Sequence, residues 1–349
     1  MDKKGALIKA LAHELLLRKK ELKNHQISSI YFGGGTPSLL AINEIAFLIE
    51  TIRQNYTLSP TPEITLEANP DDLTETFISA LSKTAVNRLS IGIQSFFEDD
   101  LRLMNRAHTA NESKKCLEFA TQYFNNITID LIYGVPNMSL KNWEQNLKTA
   151  LNFGINHISA YALTVEEKTA LQHKVTHKKI SLLPENEVVK HFELCKKILE
   201  KNGFIHYELS NYGKEGFFSQ HNSAYWLGKK YMGVGPSAHS FNGTTRSWNV
   251  ANNIKYIQAL ETNTLPQTIE ILSQTDQFNE ALLIGLRTQW GINLTEIETN
   301  FGNEKCEYLV QLSQKHIEKN LLIIENNHLK PTEKGMFIMD GIIADLFWV

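Results

Sequence analysis

Three glycines, Gly33, Gly34 and Gly35, come directly after the stretch Ser29-Ile30-Tyr31-Phe32 and are followed by Thr36, Pro37 and Ser38. Consecutive glycines after a strand let the backbone adopt positive φ and approach a ligand closely. Their N–H groups, together with the Thr36 hydroxyl, suit an anionic carboxylate or phosphate. The segment has neither the lysine of a P-loop nor the G-x-G-x-x-G spacing of a dinucleotide site. A plain turn with Ser38 capping the next helix is the alternative, but three glycines exceed what a turn needs.

A second chemical signal is polar residues recurring at every other position. Successive side chains on a strand point to opposite faces. Thr65 shares a face with Glu67, Ser90 with Gly92 and Gln94, Thr128 with Asp130, and His157 with Ser159 and Tyr161. The opposite faces are mainly aliphatic. Parallel strands buried on both faces read as nearly continuous apolar runs, and a closed eight-stranded barrel fills its lumen with branched apolar side chains. A small, polar face instead fits an open or partial barrel whose lumen holds a polar ligand. Glu67 and Asp130 come near the C-terminal ends of their strands, where β/α barrels place their sites. An antiparallel sheet with one solvated face would show the same alternation, but the helical patterns between the strands oppose it.

The elements that must position these groups alternate. Strand-type runs at 27–33, 63–68, 86–95, 127–133, 157–163 and 204–210 are separated by helical patterns such as 43–54 and 140–153. That order means parallel strands joined by helical crossovers. The segment 211–253 is irregular and rich in Gly, Ser, Asn and aromatics, a pattern that marks a functional loop. Helices follow at 277–287 and 305–319, then a hairpin at 321–324 and 328–330, then a final helix over 332–347. This order suggests a winged-helix-like module. At the N-terminus Leu7, Ile8, Leu11, Leu15 and Leu16 recur at helical spacing with Lys9, His13 and Glu14 between them, an amphipathic helix rather than a signal peptide.

The chain has 349 residues, with 35 Lys plus Arg against 38 Asp plus Glu and a formal charge of −3. This balance argues against a role neutralising nucleic-acid backbones. No apolar run approaches the roughly 18 residues of a membrane span. Peripheral membrane contact stays open, and a cytoplasmic protein is the simplest expectation. The three cysteines, Cys116, Cys195 and Cys306, form no C-x-x-C pair, so neither a disulfide framework nor a cysteine-built zinc site is supported.

Six segments appear in order: Gly33-Gly34-Gly35-Thr36-Pro37, Leu66-Glu67-Ala68-Asn69-Pro70, Ser90-Ile91-Gly92-Ile93-Gln94-Ser95-Phe96, Asn105-Arg106-Ala107-His108-Thr109, Ile129-Asp130-Leu131-Ile132-Tyr133-Gly134 and His221-Asn222-Ser223-Ala224-Tyr225-Trp226. Together they resemble the HemW-type haem chaperones of the radical S-adenosylmethionine (SAM) family, relatives of oxygen-independent coproporphyrinogen III oxidase. The resemblance covers essentially the whole chain. It implies an α/β fold: a partial (β/α)6 radical-SAM barrel over 1–210, with an α+β, winged-helix-like extension over 211–349 that carries the His221–Trp226 motif on a loop. By the same resemblance Gly34, Gly35 and Thr36 hold the amino-acid end of SAM, Glu67, Gln94, Arg106 and Asp130 contact its polar groups, and Ala162 lines the adenosine pocket. The chemistry is consistent, since carboxylates suit cationic and hydroxyl groups and arginine suits a carboxylate. Arg106 would otherwise be an exposed helix residue.

One family feature is missing. Radical SAM proteins hold a 4Fe–4S cluster through C-x3-C-x2-C after the first barrel strand, and this sequence has no such motif. The resemblance implies that the first strand and the cluster loop are lacking, whether by truncation, by a start codon set downstream, or in a natural cluster-free relative. Three thiolates are needed for the cluster, so radical chemistry is not expected, and an exposed sheet edge is. The motif His221-Asn222-x-x-Tyr225-Trp226 belongs to the chaperone branch. It implies an axial imidazole from His221, with Tyr225 and Trp226 stacking on the macrocycle and His206, His239 and Trp248 as further lining. Otherwise His221 simply makes a hydrogen bond among aromatics. The implied function is haem binding and delivery to an acceptor protein, and a homodimer stays open. The alternatives are a coproporphyrinogen III oxidase-like enzyme and a cluster-free binding scaffold.

Overall fold

The period-two runs become one sheet. The computed structural model describes residues 3–167 and 169–349. A first helix, α1 (Lys3–Leu17), precedes β1 (Ile27–Phe32), β2 (Leu58–Ala68), β3 (Arg88–Gln94), β4 (Ile127–Tyr133) and β5 (His157–Ala162), which lie parallel in chain order. The crossovers between them are α2 (Ile42–Asn55), α3 (Glu75–Leu81), α4 (Glu98–Leu103) with α5 (Ala110–Tyr123), and α6 (Leu140–Asn152). The aliphatic faces of the strands, among them Ile64, Leu89, Ile129 and Ile158, pack with Leu117 and Trp143 of these helices in the main core. The polar faces line a lumen on the other side. Every residue of β3 is buried, Ser90 and Gln94 included. This is the partial β/α barrel expected from the alternation.

Beyond β5 the expectation needs correction. After α7 (Ala170–Thr176) and α8 (Glu185–Lys201), residues 204–210 do not form a sixth parallel strand. Only β6 (Ile205–His206) is extended. The chain then turns and returns as β7 (Asn211–Gly213), antiparallel to both β6 and β5. The turn is closed by the Asn211 N–H on the Glu208 carbonyl at 3.3 Å and the Ser210 N–H on the Glu208 carboxylate at 3.4 Å. The main sheet therefore continues past residue 210.

The segment 211–253 is not one irregular loop. It forms β7, then α9 (Gln220–Trp226), which carries the His221–Trp226 motif on a helix, then β8 (His239–Phe241) and β9 (Thr245–Asn249). Ser219 caps α9 by accepting from the Asn222 N–H at 3.2 Å. After α10 (Asn253–Glu261), β10 (Gln267–Ile271) completes a three-stranded sheet in the order β10-β9-β8. The C-terminal part is α11 (Gln274–Gly285), β11 (Ile292–Asn293), α12 (Leu294–Phe301), α13 (Asn303–Glu318) and the hairpin β12 (Leu322–Glu325) with β13 (His328–Pro331). The expected last helix is broken into α14 (Glu333–Met336) and α15 (Met339–Leu346). Phe278, Leu282, Leu309, Leu329 and Ile343 centre a second core here. The arrangement is winged-helix-like, and it is tied to the barrel where the Leu209 N–H meets the Arg287 carbonyl at 3.1 Å and the Gln289 N–H meets the Tyr207 carbonyl at 3.0 Å.

Two buried ion pairs lock the barrel to the later segments. Glu14, which looked like a polar interruption of α1, is 0% exposed, while Leu16 is 43% exposed. Glu14 takes hydrogen bonds from Arg18 at 2.9 Å, the Asn249 amide at 2.8 Å, the Gly235 N–H at 2.8 Å and the Tyr256 hydroxyl at 2.5 Å. Arg18 also reaches the Gly233 carbonyl at 2.7 Å and Ser240 Oγ at 3.0 Å. The N-terminal helix is thereby bolted to 233–256.

The second pair lies at the closed end of the lumen. Arg88 is buried at the start of β3, 3.9 Å from the Glu63 carboxylate, and donates to Asn126 and Thr128. Glu63 also accepts from Ser219 Oγ at 3.4 Å and from the N–H groups of Gln220 and His221, both at 3.0 Å. Thr128 meets His157 Nδ1 at 3.1 Å, and His157 Nε2 meets the Tyr207 hydroxyl at 2.7 Å.

Removing one partner of a buried pair leaves an uncompensated charge and costs roughly 3–5 kcal/mol. Glu14→Ala is expected to lower the unfolding free energy by an amount in that range, read as a lower urea midpoint at unchanged m, whereas Leu16→Ala changes stability by less than about 0.5 kcal/mol, as exposed positions do. Equilibrium unfolding decides between them, and a larger loss in Leu16→Ala contradicts this account of α1. Glu63→Gln is expected to destabilise on the same scale, because Arg88 stays buried.

Candidate functional site

At the C-terminal ends of the strands the lumen opens into a polar mouth. The glycine turn after β1 forms one lip. Gly34 has φ of +74°, and a Cβ at Gly34 or Gly35 would meet nothing within 4 Å, so the turn leaves its backbone accessible. The Thr36 side chain stands beside it, half-buried. Ser38 does not cap α2. It donates to the Asp72 carboxylate at 2.6 Å, and the α2 N-terminus is satisfied by Glu44 accepting from the Ala41 N–H at 2.7 Å.

The other lips come from β2, β3 and β4. Glu67, near the end of β2, accepts from the Tyr31 hydroxyl at 2.6 Å. Gln94 ends β3 at φ of +66°, beyond a register shift against β4. A non-glycine residue held in that region stores strain, and such residues cluster at ligand sites. Arg106 is not an exposed helix residue. It lies between α4 and α5, half-buried, and donates to Asn69 Oδ1 at 3.1 Å. Gly92 makes room for both: a Cβ there would fall 2.9 Å from the Gln94 amide nitrogen and 3.1 Å from the Arg106 guanidinium.

Asp130 sits between these groups. Burial pushes its pKa up to about 7, with the nearby Ser159 opposing the rise and the Glu67 charge adding to it. It holds its proton where an ordinary aspartate has lost it. Ala162 is exposed at the end of β5, next to Tyr161, which is also exposed. The mouth thus brings together the glycine turn, Glu67, Gln94, Arg106 and Asp130, with Ala162 at its rim. An arginine and glycine amides for an acid, carboxylates for an amine or hydroxyl, and an open rim suit a zwitterionic ligand with a polar body.

His221 lies beside the same lumen, on α9 against β1. Its Nδ1 shares a hydrogen bond with Ser29 Oγ at 3.0 Å, as the plain alternative anticipated, and its ring stacks on Tyr31 with centroids 4.6 Å apart at 14°. Tyr225, one helical turn on, meets it edge-on at 4.9 Å. Tyr225 in turn contacts Tyr231 at 4.5 Å, and Tyr231 contacts Phe241 at 6.2 Å. Burial lowers the His221 pKa to about 4, so the imidazole is neutral at pH 7. With Nδ1 engaged by Ser29, Nε2 is the nitrogen left for a ligand bond, the arrangement in which a partner atom orients a histidine ligand.

Other aromatic candidates do not join this cluster. Among the described residues Trp226 makes no ring contact with His221 or Tyr225, since five helical steps turn it roughly 140° away. His206 stacks on Tyr212 at 4.2 Å and lies on β6, at the opposite edge of the main sheet. His239 and Trp248 stack at 6.0 Å and line a separate cleft of about 790 Å³ beside α10. Ser29 and Tyr31 share one face of β1 by the same period-two rule, a signal that sequence alone could supply. Glu63, on β2, Arg88, at the start of β3, and Tyr207, just after β6, carry no motif signal, because single charged or aromatic residues within such runs match no pattern.

The cysteines stay apart. Cys116 and Cys195 are buried on α5 and α8, and Cys306 is half-buried on α13. Burial pushes the Cys116 thiol up to about 12 and raises the other two. Among the described residues no three His, Cys, Asp or Glu side chains come together as a metal site. No helix among them is long and apolar enough to cross a membrane.

Residues 5–150 match the radical SAM superfamily, and residues 272–338 match the HemN C-terminal domain. The chain is 32% identical to heme chaperone HemW of Lactococcus lactis, with 97% of this chain and 89% of that protein covered. It is also 32% identical to heme chaperone HemW of Mycobacterium tuberculosis, over 97% of this chain and 85% of that protein. A radical S-adenosyl methionine domain-containing protein of zebrafish mitochondria is 30% identical over 95% of this chain and 78% of its own length. Coproporphyrinogen III oxidase (HemN) from Escherichia coli, a radical SAM enzyme, superposes with a TM-score of 0.82 over 99% of this chain and 84% of that one at 20% identity, which shows a shared fold. With such likeness along nearly its whole length, this chain belongs to the heme chaperone HemW family of the radical SAM superfamily.

Proposed function

We propose that this chain binds haem through His221 and delivers it to an acceptor protein, on a barrel whose mouth binds SAM. The observation that carries the haem reading is the His221 imidazole: neutral, flanked by Tyr31 and Tyr225, and tethered at Nδ1 by Ser29, which leaves Nε2 as the nitrogen to meet an iron. Haem supplies an iron with a free axial position, and a neutral imidazole needs no proton loss to fill it. The run of Tyr225, Tyr231 and Phe241 offers apolar ring surface to a macrocycle.

The mouth fits SAM. Arg106 and the amides of Gly34 and Gly35 suit its carboxylate, Glu67 and Asp130 suit its ammonium and ribose hydroxyls, and exposed Ala162 leaves a rim for the adenine. The cysteines do not fit a 4Fe–4S cluster, which needs three thiolates brought to one place. Two of them are buried in the core, and all three have raised pKa values. We therefore read this chain as a binder and carrier. The oxidase alternative has the shared fold and the HemN C-terminal domain match behind it, and the near full-length likeness to the HemW chaperones favours the carrier reading.

Haem titration followed in the Soret band tests the reading. His221→Ala is expected to shift the band and weaken haem binding by at least about tenfold, and Ser29→Ala by about tenfold, as loss of the group that orients a ligand does. Undiminished binding in His221→Ala sinks the assignment. Binding to the wild-type protein is expected to be flat above pH 6 and to fall as the pH drops toward 4, where His221 gains its proton. Haem-loaded protein mixed with an apo-acceptor should lose its Soret signal to the acceptor.

Asp130 gives a separate test. Its native pKa of about 7 lies above the ordinary value of 3.8. Between those values the folded protein holds a proton that the unfolded chain has released, so this group's contribution to stability falls as pH rises through the window. Asp130→Asn is therefore expected to gain on the wild type between pH 4 and pH 7 in denaturant midpoints. A constant offset between the two proteins contradicts a raised Asp130.

A further inference from the structure

One side chain spans the two proposed sites. Ser29 and Tyr31 are two residues apart on β1 and so share its lumen face, and both hold His221, one by a hydrogen bond of 3.0 Å and the other by a ring stack at 4.6 Å. The Tyr31 hydroxyl reaches the other way and donates to Glu67 Oε1 at 2.6 Å. Gly33 leaves room for this bridge: a Cβ there would fall 2.6 Å from the Tyr31 ring and 3.1 Å from Glu67 Oε2. The phenol stays protonated, because burial and the Glu67 charge both oppose its ionisation, so its hydroxyl remains a donor.

We infer that Tyr31 is a positioning residue that couples occupancy of the SAM site at Glu67 to the set of the haem-binding His221 imidazole. The inference rests on the function proposed above. A ligand ammonium or hydroxyl that takes Glu67 competes with Tyr31 for the same carboxylate. The phenol ring then shifts against the imidazole stacked flat on it, and the direction of Nε2 changes with it. Ser29 keeps the imidazole from swinging free, so the ring responds by a change of angle. Coupling of this kind is reciprocal: SAM alters haem affinity by the same factor by which haem alters SAM affinity.

Haem titrations of the wild-type protein, Tyr31→Phe and His221→Ala, each with and without saturating SAM, test it. SAM binding is followed independently by calorimetry. In the wild type SAM is expected to shift haem affinity by about two- to tenfold, the worth of one hydrogen bond, and to move the Soret maximum. Tyr31→Phe keeps a ring against His221 but loses the link to Glu67, so the SAM-dependent shift is expected to vanish. Persistence of the shift in Tyr31→Phe, or no shift in a wild type that binds both ligands, overturns the coupling. Failure of the underlying reading looks different. The calorimeter then shows no SAM binding to the wild type, or His221→Ala leaves the haem spectrum unchanged.

Discussion

The guanidinium of Arg88, buried at the closed end of the lumen, is the constraint around which much of the molecule is arranged. A buried cation must be paired and hydrogen-bonded or it costs several kcal/mol. Asn126, Thr128 and Glu63 meet that need from β4 and its approach and from β2. Glu63 in turn has oxygens to satisfy, and the first N–H groups of α9 supply the donors. The helix that carries His221 is therefore placed by a charge pair inside the barrel. Its partners extend through Thr128 and His157 to Tyr207, so the lumen floor and the segment leading to α9 form one hydrogen-bonded unit.

A second unit, Glu14 with Arg18, does the same for 233–256. The two have a common logic. Each uses an ion pair on an early element to grip backbone or side-chain donors of a later, less regular segment. Short strands and a seven-residue helix have little apolar area with which to dock, so directional polar contacts fix their positions. Such contacts add little net stability against apolar replacements of similar volume, but here they determine where the aromatic run from Tyr31 to Phe241 is laid down.

The same burial sets the chemistry of the two open groups in opposite directions. Desolvation disfavours the charged form of any group. It leaves Asp130 holding a proton near neutrality and His221 without one. One is a carboxyl that a cationic or hydroxyl-bearing ligand must persuade to ionise. The other is an imidazole ready to donate a lone pair. Tyr31 lies between the two regions because β1 is the strand that borders both the mouth and α9.

Much of this was written in the chain. Period-two alternation in 64–67, 89–94, 127–130 and 157–161 was enough to derive a polar lumen, because a strand's side-chain direction depends only on its own backbone. The glycine turn and the six ordered motifs carried the family and the mouth residues for the same local reason. Tertiary structure alone decided the rest. Glu14 reads as solvent-facing until Tyr256, Asn249 and Gly235, more than two hundred positions away, are folded against it. The run 204–210 reads as a strand, yet a turn around Glu208 reverses it. His221 reads as one residue of a motif, while its tether to Ser29 and its stack on Tyr31 exist only once α9 has docked. Local backbone preference sets which way a side chain points. Which distant group it meets depends on long-range packing, and burial of that meeting is what determines charge and reactivity.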